Sequence, residues 1–481
     1  MKAHRSITYL SVALLAAVSM TAQAFESGST GADGAFNPTV DTVLPLPDDG
    51  VFNFTSVNVP AGVTVRFERN ALNTPVRMLV AEDALIDGVI DVRGGNSPAI
   101  GSAGDGVIAD DGLPGRGGPG GFDGGVGGSP GSSEFAGGQG IGPGGGFPNE
   151  SQVGSNGTVG CAGGGGGFGT SGVTGRGSHC FTSHQVAGGP DYGNERLLPL
   201  IGGSGGGGGA GGASFAGSGG GGGGGALLIA VSGTLTVNGT IRANGGNSGD
   251  FSGAGHGGGG GGGAGGGIRM IATTIAGEGA ITARGGQGYS TSTSIGGGGG
   301  AGRIRFEAET MNRSAGTTPQ FSFAEPGPVF LTGMPSIRIA SVGGVDAPAV
   351  PSGTADIVLE QDFPNPVEVV VEAFNVPLGN TATITLTPAT GQAFSVITNA
   401  LDGTEAASSA MAQIEVPDGP STLLASVSFT VPEDQNMAFQ HITDGEPVRE
   451  IRLLASIDGA SRTVLITEAG REVEVPGSLL R

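Results

Sequence analysis

Four sets of side chains in this sequence have types and spacings that could do chemistry. Cys161 and Cys180 are the two cysteines. In an oxidising compartment such a pair is most simply a disulfide closing a short glycine-rich loop, worth roughly 3 kcal/mol in the chain-entropy model. His179 and His184 flank Cys180, which would complete a Cys₂His₂ metal set, but the spacing fits no zinc motif. Asp105, Asp110, Asp111 and Asp123 stand in glycine turns and offer the oxygen donors that calcium prefers. The nonapeptide calcium repeat is not in register, so structural turns compete with a calcium site at these positions. Asp87, Asp91 and Arg93 fall close together, with Arg242 and Arg284 at equivalent places further on. Clustered carboxylates beside arginine suit an acidic-sugar enzyme, and they equally suit the solvated edges of a repeat. Finally, Gly202-Gly-Ser-Gly-Gly206 spells the nucleophile elbow. That motif needs a strand-to-helix turn and a histidine partner, which a glycine tract does not supply.

What is missing narrows the chemistry further. Lys2 is the only lysine, so a P-loop lysine, a Schiff-base lysine and a Ser-Lys dyad are all excluded from a chain that has lost its leader. The net charge is −21, which argues against duplex nucleic acid and anionic lipid as partners. There is no Trp and there are only 3 Tyr, so aromatic platforms for sugar stacking are scarce, while 21 Phe can fill a core.

The elements that would position these residues begin after a leader. Lys2 and Arg5 precede an apolar run over 7–18, and Ala22-Gln23-Ala24 has the small-x-small form of a signal-peptidase site. The run is too short for a transmembrane helix. Residues 1–24 therefore read as a cleaved signal peptide, and the protein as secreted or held at the cell surface.

Most of the 103 glycines lie between Gly94 and Gly302, and short β-branched segments interrupt them. Residues 84–96, 234–247 and 274–287 read alike: a short strand, a turn at Gly88, Gly239 or Gly279, a second strand, then a Gly-Gly pair. An alternating strand precedes each unit, at 76–80, 226–231 and 268–272. A glycine-poor copy sits at 54–67 and a final strand at 303–308. Unequal insertions separate these units, so they read as one rung repeated. One rung cannot bury its own apolar side chains. Stacking is expected, with Leu85, Ile90, Leu235, Ile241, Ile275 and Ile281 forming inward rows, and with the N-terminal segment and the C-terminal domain capping the ends.

The expected fold is all-β: a short right-handed parallel β-helix over 25–332 carrying glycine-rich insertions (97–225, 248–267, 286–302), then an immunoglobulin-like β-sandwich over 333–481. Strands of the second domain are expected at 355–360, 367–373, 381–387, 412–416, 424–431, 451–457 and 464–467. Two states are open to the insertions. They are disordered, since ordering glycine costs much backbone entropy, or they are polyglycine-II helices with three residues per turn, bundled through close backbone contacts.

The opening Phe25-Glu-Ser-Gly-Ser-Thr-Gly-Ala-Asp-Gly-Ala-Phe36, the strand pair Val57-Asn-Val-Pro-Ala-Gly-Val-Thr-Val65 and rungs ending in Gly-Gly-Asn resemble exported bacterial glycine-rich parallel β-helix proteins. The likeness spans roughly 25–310. It implies a surface or matrix role and carries no functional residues across. The expected function is a non-enzymatic structural or adhesive protein that displays glycine-rich surfaces. It would need no cofactor beyond calcium, and its ligand would be a cell-surface, matrix or polysaccharide partner. A polysaccharide lyase-like β-helix enzyme using the Asp87, Asp91 and Arg93 set is the alternative, and a calcium-dependent adhesin is a third.

Overall fold

The computed structural model describes residues 25–99, 112–129, 136–148, 161–177, 185–212, 216–250, 257–290, 294–330, 333–348, 357–360, 362–432, 439, 442–443, 446–456 and 462–476. Within these residues the chain is all-β, with no α-helix.

The N-terminal region is built on parallel pairing. Val76–Val80 pairs with the first half of Ala226–Val237, which pairs with Gly267–Ala276, which pairs with Arg303–Asn312. The second half of Ala226–Val237 pairs with Ala84–Ile86. A separate parallel sheet aligns Thr42–Pro45, Thr64–Glu68, Val89–Asp91, Thr240–Arg242 and Ala280–Thr282. Side chains in register form continuous rows one strand spacing, about 4.8 Å, apart. One row is Phe52, Met78, Ile229, Met270 and Phe306; another is Val65, Ile90, Ile241 and Ile281. The rows meet in a single buried core. Every rung buries β-branched or aromatic side chains on the same face, which is why a glycine-rich chain folds here at all.

Leu85 is not in that core. It pairs with Thr236, while Ala84 pairs with Leu235 and Ile86 with Val237. Leu85 is therefore exposed and Ile86 is buried: the turn glycines Gly88 and Gly239 set the register, and a one-residue slip exchanges the faces. The stack is closed at its two ends by short strands from the same region. Gly34–Phe36 pairs with Val51–Val59, and Phe36 stacks on Phe54 at 5.1 Å. Ser322–Ala324 pairs with Arg303–Asn312, and Phe321 stacks on Phe306 at 4.4 Å.

The outer side of the first sheet is also buried. Arg77, Leu228, Arg269 and Arg305 form one in-register row, of which Arg77, Leu228 and Arg269 line a water-sized pocket with Leu198, Pro199, Leu200, Val329 and Phe330.

Beyond residue 333 the strands pair antiparallel in two sheets. One contains Ser336–Val342, Val367–Phe374 and Ala407–Ile414; the other contains Phe394–Ala400, Thr381–Pro388, Ser421–Thr430, Val448–Ser456, Arg462–Thr467 and Glu472–Pro476. Both feed one apolar core. Residues 357–360 are not a strand, whereas Ser336–Val342, Phe394–Ala400 and Glu472–Pro476 are strands that the sequence reading omits. Phe394–Ala400 is mostly exposed on both faces, so it carries no apolar alternation to read.

Candidate functional site

The glycine tracts are ordered by their own backbones. Between 202–211 and 217–225, Gly203, Gly206 and Gly209 donate their N–H groups to the carbonyls of Gly224, Gly221 and Ser218 at 2.8–2.9 Å. A neighbouring tract keeps the same series even though it opens on a phenylalanine: Phe122, Gly125 and Gly128 donate to Gly203, Gly206 and Gly209. The step is three residues in each case, the repeat of an extended helix with three residues per turn.

Residues 202–211 exchange such bonds with six surrounding segments. Gly206 donates to Gly221 and Gly207 to Gly164; Gly208 donates to Gly138; Gly125 and Gly146 donate inward to Gly206 and Gly205, and Gly261 to Gly207. A tract surrounded on all sides has no direction in which a side chain can point. A methyl group at Gly223 would overlap the carbonyl oxygen of Gly203, and one at Gly206 the carbonyl of Gly261. At the margin the constraint relaxes to one residue in three. Arg284, Gln287 and Ser290 are exposed in succession, as are Arg93 and Asn96.

Three tracts leave the second parallel sheet directly and run side by side as its continuation. Gly94 and Ser97 donate to Asn244 and Asn247, and Gly245 and Ser248 donate to Arg284 and Gln287. Asparagine side chains reinforce the same register. Asn96 Oδ1 accepts from the Asn247 N–H, Asn247 Oδ1 from Gln287, and Asn244 Oδ1 from Arg284, at 2.8–2.9 Å.

On the sheet itself, Arg66, Asp91, Arg242 and Thr282 occupy one in-register outward row. The Asp91 carboxylate is 1% exposed and receives three guanidinium groups: Arg242 Nη2 at 3.0 Å, Arg93 Nε at 3.3 Å and Arg66 Nε at 3.4 Å. Asp87 is elsewhere engaged, accepting from Asn238 Nδ2 at 2.9 Å. Of the expected Asp87, Asp91 and Arg93 set, Asp91 and Arg93 are thus brought together and Asp87 is not; Arg242 joins them from the next rung and Arg66 from the glycine-poor one. Arg284 lies one strand further out, 3.4 Å from Thr318 Oγ1. Three cations thus converge on one buried carboxylate.

The other sequence candidates are placed as follows. Asp123 is forked by Arg69 at 2.6 and 3.3 Å and accepts the Gly117 N–H at 2.7 Å. Burial raises its pKa, but Arg69 and Gly117 outweigh that and hold the carboxyl below its usual range. Protein donors therefore take three of its roughly four acceptor sites. Asp105, Asp110 and Asp111 lie outside the described residues, as do Cys180, His179 and His184. Cys161 is fully buried against Ala210, and no cysteine among the described residues is free. Among the described residues no group of three or more His, Cys, Asp or Glu is placed to hold a metal ion. Ser204, the serine of the elbow-like motif, is buried; its hydroxyl accepts the Gly144 N–H and donates to the Tyr192 hydroxyl at 3.0 Å. Burial pushes the Tyr192 hydroxyl well above its usual pKa, so this pair is a packing contact within the glycine array.

The sequence reading also missed a buried ion-pair group. Glu307 accepts from Arg269 Nε and Nη2 at 3.0 and 2.9 Å and from Arg305 Nε at 3.0 Å. Burial raises its pKa, but the two arginines and the Gly327 N–H more than offset this and lower it. Arg77, in the same outer row, donates to the Asp49 backbone carbonyl at 3.0 Å; burial lowers its pKa to about 10, and the exposed Asp49 carboxylate offsets this only in part.

No family model, no curated protein and no solved structure matches the chain. No helix among the described residues is long and apolar enough to cross a membrane.

Proposed function

We propose that this is an exported, non-enzymatic structural and adhesive protein, in which a short parallel β-helix carries a polyglycine-II lattice as a rigid display body and an immunoglobulin-like sandwich follows it. The observation that carries the reading is the three-residue hydrogen-bond step shared by tracts that surround 202–211 on all sides. Such an array is rigid without side chains, so its margins present whatever they carry at fixed spacing, a use in binding rather than in turnover. The three-cation grip on Asp91 favours binding over lyase chemistry for the same reason: the carboxylate holds arginines in place.

The Phe25 backbone nitrogen donates to Glu309 Oε1 at 2.8 Å. Cleavage after Ala24 turns that nitrogen into an ammonium group facing a carboxylate. Cys161 and Cys180 form a disulfide in this proposal, as an oxidising compartment permits.

The test has two readouts on protein recovered from outside producing cells. Its intact mass should start at Phe25 and be two hydrogens lighter than the reduced chain. Amide hydrogen exchange over 202–211, 217–225 and 257–266 should be slow without added calcium. Fast exchange in those tracts would reduce them to spacers and remove the basis for a display body. Protein retained inside the cell with its leader would remove the exported role.

A further inference from the structure

The face that runs from the second parallel sheet onto its three glycine tracts is donor-rich in an otherwise acidic protein. Asp91 compensates one of the three guanidinium groups gathered on it. Arg66 and Arg93 are about half exposed and approach Asp91 most closely through Nε, at 3.4 and 3.3 Å. Among the described residues no other carboxylate pairs with either guanidinium, so both keep donors open to solvent. Arg242 Nε is buried without a hydrogen-bond partner, a costly state for a charged donor.

The carboxamides beside them continue the pattern. The backbone N–H groups that bond Asn96, Asn244 and Asn247 can only donate, which fixes each Oδ1 toward the lattice and leaves each NH₂ turned from it. Asn96 and Asn247 are exposed. Strand and tract spacing then sets arginine forks and amide donors on a flat grid about 4.8 Å apart, held by a backbone lattice that cannot repack to suit a ligand.

We propose that Arg66, Arg93 and Arg242, with Asn96 and Asn247 beside them, bind the anionic groups of an acidic glycan, a carboxylate or sulfate taken bidentately by the arginine forks while the amides meet sugar oxygens. This rests on the adhesive reading above and names its ligand class. A glycan fits better than a nucleic acid because the positive charge is local: Glu68 and Asp250 stand at its margins, and a long phosphate track would run onto them. It also needs no aromatic platform, in a chain without Trp. The overall negative charge does not forbid it, since acids more than a Debye length away, about 8 Å at physiological ionic strength, are largely screened.

The experiment is calorimetric titration of the mature protein, residues 25–481, with polygalacturonate, dextran sulfate and neutral dextran at low and high salt. The expected result is salt-sensitive binding to an anionic polymer and none to dextran. Polygalacturonate alone identifies a uronate carboxylate, dextran sulfate alone a sulfate ester, and both the shared anion chemistry. In Arg66→Gln/Arg93→Gln the affinity should fall by at least about tenfold, roughly 1.4 kcal/mol, with unchanged hydrogen exchange in the glycine tracts; Asn96→Ala should weaken it less. Absence of binding to both anionic polymers, equal binding by the double variant, or binding of duplex DNA as tight as that of the glycans would overturn the proposal. A protected lattice without glycan binding sinks this inference alone, whereas an unprotected lattice sinks the display reading whichever polymer binds.

Discussion

The same substitution made at two glycines should change stability in opposite directions. At Gly223 a β-carbon would overlap the Gly203 carbonyl oxygen. The overlapping partner is backbone, so relief requires 202–211 and 217–225 to part. Their direct bonds are Gly203 to Gly224, Gly206 to Gly221 and Gly209 to Ser218, at 2.8–2.9 Å. Three buried backbone bonds at about 1 kcal/mol each give a loss of about 3 kcal/mol. Alanine's smaller unfolded-state entropy returns about 0.5–1 kcal/mol, leaving Gly223→Ala destabilised by about 2–2.5 kcal/mol. At Gly298 the nearest atoms to a β-carbon are Gly286 O at 3.8 Å and Val173 Cγ2 at 3.9 Å, ordinary contact distances. The Gly298 carbonyl still accepts from Val173 at 2.8 Å. Only the entropic gain remains, so Gly298→Ala should be stabilised by about 0.5 kcal/mol. Urea unfolding gives the two signs, and hydrogen exchange over 202–225 shows whether the first variant opens the lattice. Equal effects of the two substitutions, or slow exchange across 202–225 in Gly223→Ala, would refute close packing as the reason these tracts are glycine.

Further outcomes follow from the buried charges and from Phe25. Arg269→Met should destabilise by about 3 kcal/mol near neutral pH, because Glu307 keeps its charge in a buried site with only Arg305 left, whereas Arg77→Met should lie within about 1 kcal/mol of the parent or above it, since Arg77 has no buried carboxylate to strand. Glu307's lowered pKa means its contribution is full above the ordinary carboxylate range and is lost as pH falls through its folded value. The Arg269→Met defect should therefore shrink below about pH 4, where a protonated Glu307 needs no cation; a defect that grows on acidification contradicts the assignment. Glu309→Gln should lower the stability of protein that begins at Phe25 by less than about 1 kcal/mol and leave protein with an N-terminal extension unchanged, a difference that paired melting curves would show.

The parallel repeat was legible because its turn glycines recur at matching places, and those glycines were a better ruler than the apolar residues beside them. Aligning Gly88 with Gly239 sets Leu85 against Thr236, outside the core, where matching leucine to leucine sets it inside. Arg66 was not legible. It reaches Asp91 across a rung that lacks the Gly-Gly ending, and nothing in its local sequence marks the register that brings it there. Arg269 and Glu307 read as an ordinary alternating exposed face, because Leu198 to Leu200, which pack against Arg269, lie far away in sequence within a glycine-rich insertion.

Order in the glycine tracts was the hardest feature to read, since disorder and a close-packed lattice both ask for glycine. What separates them is where purity falls. The two longest uninterrupted runs, 219–225 and 257–263, have hydrogen-bonded segments on every side, whereas the shorter run 296–300 has an open direction at Gly298 and tracts at the margin admit a side chain every third residue, as at Arg284, Gln287 and Ser290. A spacer has no reason to grade its composition in that way. A lattice does, because each additional neighbour removes one direction in which a β-carbon could point. In the longest runs purity therefore follows the number of neighbours, and the third-residue positions of the outermost tracts are where side chains reach the surface.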